Sequence, residues 1–482
     1  MQTSRLLAGS VAVLTLLAAL VSPDHFLVAV VGMTFVLGVW LLWPSTDAPV
    51  LLLPFGLQWL QVAVKPVHTA LTGQPLDDLA DFGEPLVQAA YLAIAAIAAL
   101  AVGMRLGSGW RSVDWSRTLA SDASRWPAAR LVQIALGFIV GGHLLRVASD
   151  FAGPARQTLF SVSNIEYCGL FFLAYWCLSQ RRLLGLLALV VAAEIVIGMM
   201  GFFADFRTTL FVLIVAAAAA RPKISLGGFI GLATACCVLF AATVFWSAIK
   251  PEYRSFLNED TGQQVVLRPM KERLAYIGAA ARGFGAQQVE TGFDALVSRV
   301  SYIDFLGRVI ANVPENIPFQ NGRQTDQALL HVITPRILFP DKAPTPNDTE
   351  ITSHYTGMNL DLSGATSISI GYVGELYIDF GYPGSVLGAF LLGLFAGKTF
   401  SILRGYNSAP LFLNYGLAVV AALPFASFET ALIKVLGSTV AVFLICVTLQ
   451  RWVIPLFLRQ SHRRGLRHAP EILRGHQDDR RA

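Results

Sequence analysis

TSISIGYVGELYIDFGYPGSVLGAFLLGLFAG, residues 366–397, decides how the chain is read. Its first half is polar and carries Glu375, Tyr377 and Asp379; its second half is an apolar run broken mainly by glycines. A water-facing segment here returns to hydrocarbon. Glycines at 371, 374, 381, 384, 388, 393 and 397 allow close backbone approach, as small residues do between membrane helices. A carboxylate so near hydrocarbon is costly unless it is paired or wet, which makes Glu375 a candidate for function. It would either partner an arginine or take a proton from a hydroxyl.

The composition sets the frame around that stretch. Mean hydropathy is +0.58. Of 482 residues, 55% are hydrophobic and 14% charged, where soluble chains run near about 25% charged. An ordinary soluble protein is excluded. Apolar runs that match a hydrocarbon core of about 30 Å, at about 1.5 Å per residue, predict an all-α polytopic integral membrane protein. The net charge of +5 fits excess Lys and Arg on cytoplasmic loops, so no nucleic-acid partner is expected. Cys168, Cys177, Cys236, Cys237 and Cys446 lie in apolar stretches without metal spacing. There is no Gly-Lys-Ser/Thr phosphate loop, no G-x-S-x-G elbow and no H-E-x-x-H. Neither a metal nor a cofactor is expected.

The apolar segments predict about twelve transmembrane helices, near 6–22, 26–43, 49–64, 85–104, 128–148, 159–179, 183–203, 207–220, 224–248, 384–403, 411–430 and 433–457. The first is read as a retained span, because no clean cleavage site follows it. Gln58 and Gln61 make the third the least regular. With the N-terminus in the cytoplasm, cytoplasmic junctions receive Arg105, Arg111, Arg117, Arg125, Arg181, Arg182, Arg221, Lys223, Arg404 and the basic tail. The opposite side receives Asp24 and the acidic Asp77, Asp78, Asp81 and Glu84. This positive-inside pattern puts both termini in the cytoplasm. It divides the chain into a bundle of about nine spans (1–248), one large periplasmic, partly helical loop (249–383), three C-terminal spans (384–458) and a basic tail (459–482).

From 250 to 365 the chain holds 24 of its 67 Asp, Glu, Lys and Arg residues, 11 basic and 13 acidic. RPMKERLAYIGAAARGFG and ETGFDALVSRVSYIDFLGRVIANVP carry apolar residues at helical spacing and predict amphipathic helices on the bilayer. Arg207, Arg282, Arg299, Arg308 and Arg336 then fall on the outer side, against the topological bias. Guanidinium forks onto phosphate oxygens, so the group suits a diphosphate at headgroup level. In HVITPRILFPDKAPTPNDTE, residues 331–350, four prolines would hold Arg336, Asp341 and Lys342 with little entropy left to lose. His331 and His354 are candidate bases in the same segment, and Tyr377 sits beside Glu375.

Three stretches together resemble the bacterial O-antigen and exopolysaccharide repeat-unit polymerases, the Wzy-type oligosaccharide polymerases. They are SRVSYIDFLGRVIANVPENIPFQNGR (298–323), ITPRILFPDKAPTPND (333–348) and GYVGELYIDFGYPGSVLGAFLLGL (371–394). The resemblance covers mainly the C-terminal half, and Phe339 stands where relatives often show Trp. It implies a metal-independent glycosyltransferase at the outer leaflet of the inner membrane. One undecaprenyl-diphosphate-linked oligosaccharide would be donor and another acceptor, with a chain-length regulator and a flippase as partners beside membrane lipid. On that reading Arg207, Arg299 and Arg336 hold the leaving diphosphate and Glu375 orients or deprotonates the acceptor. Arg282, Arg308, Lys342, His331, His354 and Tyr377 line the substrate. The same features also fit an O-antigen ligase-like transferase, a lipid-linked oligosaccharide flippase or a non-catalytic assembly factor.

Overall fold

The computed structural model describes residues 2–455 except 45, 110–113, 150, 154–155, 201–205, 221–225, 260–265, 335–338, 340–346, 363–366 and 407–408. The described residues are helical with connecting turns. The first helices are α1 (Gln2–Val21), α2 (His25–Leu42), α3 (Leu52–Thr72), α4 (Leu86–Ser108), α5 (Trp115–Ser124) and α6 (Ala128–Ser149). Next come α7 (Arg156–Ser163), α8 (Glu166–Gln180), α9 (Leu184–Met200), α10 (Phe206–Ala220) and α11 (Leu226–Asn258). A group of shorter helices follows: α12 (Met270–Arg282), α13 (Ala286–Val300), α14 (Ile303–Asn312), α15 (Arg323–Ile333) and α16 (Asp348–Thr356). The chain closes with α17 (Gly371–Arg404), α18 (Leu411–Ala422) and α19 (Leu432–Thr448).

The all-α expectation holds; the count of twelve spans does not. Among the described residues five helices are long and apolar enough to cross a membrane: His25–Leu42, Leu86–Ser108, Ala128–Ser149, Gly371–Arg404 and Leu432–Val453. Four further apolar stretches are shorter among the described residues, Ala8–Val21 within α1, Leu184–Gly198, Thr208–Ala220 and Leu411–Phe425, while the stretch 224–248 falls within α11. The stretch 159–179 is broken between α7 and α8. The expected third span, now within α3, has a polar face turned into protein: Gln58 donates to the Phe425 carbonyl at 2.7 Å and accepts from the Tyr372 hydroxyl at 2.7 Å. Gln61 accepts from the Phe428 amide at 2.7 Å.

The single large periplasmic loop is likewise corrected. Helix α11 runs past the expected boundary to Asn258, and α17 begins at Gly371, well before 384. Between them the described residues form α12–α16 rather than a loop. An amphipathic face explains α14, which buries Ile303, Leu306, Val309 and Ile310 beside α4 and α17. Helix α17 is two helices joined at Gly381, whose φ of 67° lies in the left-handed region and precedes Pro383.

The most intimate contact is α4 against α17. Cβ atoms added at Gly103 and Gly107 would stand 2.2 Å from the carbonyl oxygens of Phe390 and Leu394. Those added at Gly393 and Gly397 would stand 2.1 and 2.2 Å from the carbonyls of Leu100 and Met104. The numbers rise together, so the two helices are parallel, each presenting a G-x-x-x-G face. One end of this pair gathers α3, α13 and α14. The other gathers α5 and the start of α18, where Asp47 is clasped by Arg404 and by the Tyr415 hydroxyl. Burial pushes the Asp47 carboxyl above its usual range, with the Arg404 charge opposing that rise.

Candidate functional site

Helices α11 and α12 meet around an aromatic cluster of Trp246, Tyr253, Phe256 and Tyr276. Gly292 lets α13 lie close on α11: an added Cβ would stand 2.7 Å from the Val244 carbonyl. Two turns further on, Arg299 in the last turn of α13 comes alongside Arg254 of α11. Burial, and then the Arg299 charge, hold Arg254 below the usual guanidinium range. Arg273 of α12 is close enough to Tyr253 to offset part of the rise that burial imposes on its phenol. Arg254 and Arg299 therefore stand together at the corner where α11 and α13 pack, while Arg273 stands beside Tyr253. Leu210 of α10 packs against the same cluster, and Arg207 stands in the first turn of that helix; its side chain lies outside the described residues.

The opposite face of α13 lines a cavity of about 400 Å³. Asp294, Ser298 and Ser301 recur at helical spacing and project into it. Lys65 and His68 enter from α3, Asp304 and Arg308 from α14, and Asp81, Phe82 and Glu84 from the segment before α4. Lys65 is buried and paired with Asp304, which also accepts from the Ser301 hydroxyl at 3.0 Å. The Arg308 guanidinium lies 3.7 Å from the centre of the Phe82 ring and 3.9 Å from Glu84 Oε1. Four carboxylates face two cations, so the lining is acidic. This chamber and the guanidinium corner are different places with opposite charge, separated by one helix.

Of the residues singled out in the sequence, Arg299 belongs to the corner and Arg308 to the cavity. Arg282 is exposed at the end of α12, its Nε donating to the Gly278 carbonyl at 3.1 Å. Glu375 is buried and accepts from the Leu432 amide at 2.8 Å, at the first residue of α19. Tyr377 donates to the Val313 carbonyl at 3.3 Å. His331 is half-buried on α15, and His354 is exposed, edge-on to Tyr355 with ring centres 4.7 Å apart. Arg336, Asp341 and Lys342 lie outside the described residues. Arg254, Arg273, Lys65, His68, Asp294 and Asp304 were not foreseen; the helical spacing of Asp294, Ser298 and Ser301 was the one signal for them.

A second polar cluster sits within the bundle. His143 of α6 lies between Glu194 of α9, 2.9 Å from Nε2, and Glu166 of α8, 3.3 Å from Nδ1. Arg146 donates to Glu166 at 2.6 Å. Carboxylates and cations balance there, which is how such groups are kept in a low-dielectric interior, and they tie three helices together. Among the described residues no group of His, Cys, Asp and Glu is arranged to hold a metal ion.

Five helices able to cross a bilayer define the chain as an α-helical membrane protein. A family described as "Domain of unknown function (DUF8712)" matches residues 188–452, more than half of the sequence, and the chain belongs to that family. The matched segment contains the guanidinium corner and the C-terminal wall of the cavity, but not Lys65, His68 or the Asp81–Glu84 wall. No curated protein and no solved structure matches the chain.

Proposed function

We propose that the protein is a glycosyltransferase that joins oligosaccharide repeat units carried on undecaprenyl diphosphate. It would work at the outer leaflet of the bacterial inner membrane, with both termini cytoplasmic. The observation that carries this reading is the approach of Arg299 on α13 to Arg254 on α11. Like charges brought together favour an anion between them, and guanidinium binds phosphate oxygens in a bidentate manner. Such charges stabilise the negative charge that grows on a departing diphosphate. In the reaction the acceptor oxygen bonds to the donor's anomeric carbon, the bond from that carbon to the diphosphate oxygen breaks, and the acceptor hydroxyl proton passes to a carboxylate or water. Arg207 and Arg336 remain members of the proposed diphosphate set, and Lys342 its assistant. Glu375 takes a positioning role, holding the start of α19.

Full-length protein in lipid nanodiscs, supplied with lipid-linked oligosaccharide, is expected to lengthen it, a readout to which transport contributes nothing. Arg299→Ala and Arg254→Ala should each slow elongation by about 30- to 1000-fold, the loss typical of one charge-assisted contact to a transition state. Arg299→Lys should recover only part, because ammonium lacks the fork. Wild-type elongation by both alanine variants would remove the proposal.

A further inference from the structure

Helix α12 has two unlike sides. Tyr276, Ile277 and Ala280 turn onto α11 and pack against the cluster around Trp246 and Tyr253, with the Tyr276 ring 4.7 Å from that of Phe256. Roughly 100° further round the helix, Met270, Leu274, Gly278 and Ala281 form a stripe that stays exposed. Leu274 is 51% and Met270 45% exposed. Val266 and Leu267, just before the helix, are exposed as well, and the Leu267 amide donates to the Leu257 carbonyl of α11 at 2.8 Å. Lys271 and Arg282, both exposed, border the stripe on the side away from α11. Glu272 lies further round and reaches Arg268 at 3.3 Å, which Glu259 also holds. The acids are thus kept off the stripe, and its charged border is cationic.

The position of α12 says what covers that stripe. Three apolar segments end at the cluster it packs on. Ile195 stands in the last turn of the apolar part of α9, Leu210 in the first turn of that of α10, and Trp246 at the end of the apolar run of α11. Lys250, Glu252 and Arg254 follow at once along α11. Side by side, these ends mark the level where hydrocarbon gives way to headgroups. At 13 residues α12 is too short to span. Hydrocarbon would strip water from its cations, and water would leave Leu274 and Met270 wet. At the boundary both are satisfied, with the apolar side chains in the acyl edge and the cations among phosphates. Helix α13, expected from its sequence to lie on the bilayer too, packs instead against both α11 and α3.

We propose that the exposed side of α12 docks on the bilayer surface and selects anionic phospholipid there, Lys271 and Arg282 meeting headgroup phosphates while Met270 and Leu274 enter the acyl boundary. This contact stands whether or not the protein elongates glycans.

The test uses full-length protein without native cysteines, in nanodiscs of phosphatidylcholine with a minor share of phosphatidylglycerol. Leu274→Cys and Ala279→Cys, both at exposed positions and on different sides of α12, carry a nitroxide. At 274 oxygen should reach the label more readily than a water-soluble nickel complex, at a depth of about 5–10 Å; at 279 the order should reverse. A fluorophore at 274 should be quenched at least about fivefold more readily by spin-labelled phosphatidylglycerol than by spin-labelled phosphatidylcholine, the factor that one cation at a membrane surface contributes. Lys271→Glu combined with Arg282→Glu, which leaves the packed side untouched, should abolish that preference. Equal nickel access at 274 and 279 would put the stripe in water and overturn the docking. Exclusion of both reagents at 274 would place protein there, a second copy or another partner, and overturn it as well. Equal quenching by the two lipids, or a preference that survives the double charge reversal, would remove the lipid selection.

Discussion

Asp379 shows how tightly single residues are employed here. Its carboxylate accepts from the Gln324 amide at 3.0 Å and from both the amide and the hydroxyl of Thr325 at 2.7 Å. It thus caps α15 from α17, and Glu375, one turn earlier, does the same for α19. Asp379→Ala should cost about 3 kcal/mol, since it strands two half-buried amides of a helix N-terminus and a hydroxyl. Thermal unfolding in nanodiscs would register the loss, with Asp379→Asn recovering part; an unshifted midpoint for the alanine variant would mean that packing alone holds α15. The sequence singled out Glu375 as costly so near hydrocarbon, named Asp379 only beside it, and could not say what either carboxylate holds. A buried acid that binds backbone amides and one that binds a substrate look the same in one dimension. Arg254 was overlooked for the opposite reason: it lies on the polar continuation of an apolar run, where a charge marks a helix end as readily as a site.

Elements were legible where one chemical signal decided them. The glycines of the returning helix pointed to close packing, and Gly393 and Gly397 fulfil it against Gly103 and Gly107 of α4. Spans were less legible, because hydropathy measures apolar length and is blind to a helix break such as the one between α7 and α8. It is equally blind to polar groups satisfied by neighbours, as Gln58 and Gln61 are in α3. A substitution separates glycine contact from glycine composition. Gly393→Leu would drive a side chain into the Leu100 carbonyl and force α4 from α17, an overpacking cost of about 3 kcal/mol or more. Gly137→Ala, where nothing lies within 4 Å, should leave the midpoint unchanged or slightly raised. Equal behaviour of the two variants in a melting experiment would contradict the packing described.

At the scale of the molecule, the parallel α4–α17 pair gives the protein two ends of different character. One carries the cavity and the guanidinium corner, the other Arg404, Asp47 and α5. The reading as an outer-leaflet transferase requires the first end to face out. Single cysteines in place of Ser298 and Ser121, in a background without native cysteines, report this directly. A membrane-impermeant thiol reagent on intact cells should modify position 298 and spare 121, and both should react after lysis. Modification of 121 alone would put the cavity in the cytosol and end that assignment. The same helix pairing bears on biogenesis. Synthesis delivers α4 early and its mate only after α5 to α16 have emerged, so the glycine groove of α4 faces lipid or an insertion factor until then. Truncated chains that stop before α17 would leave that groove open, marking them for quality-control proteolysis rather than for partial activity.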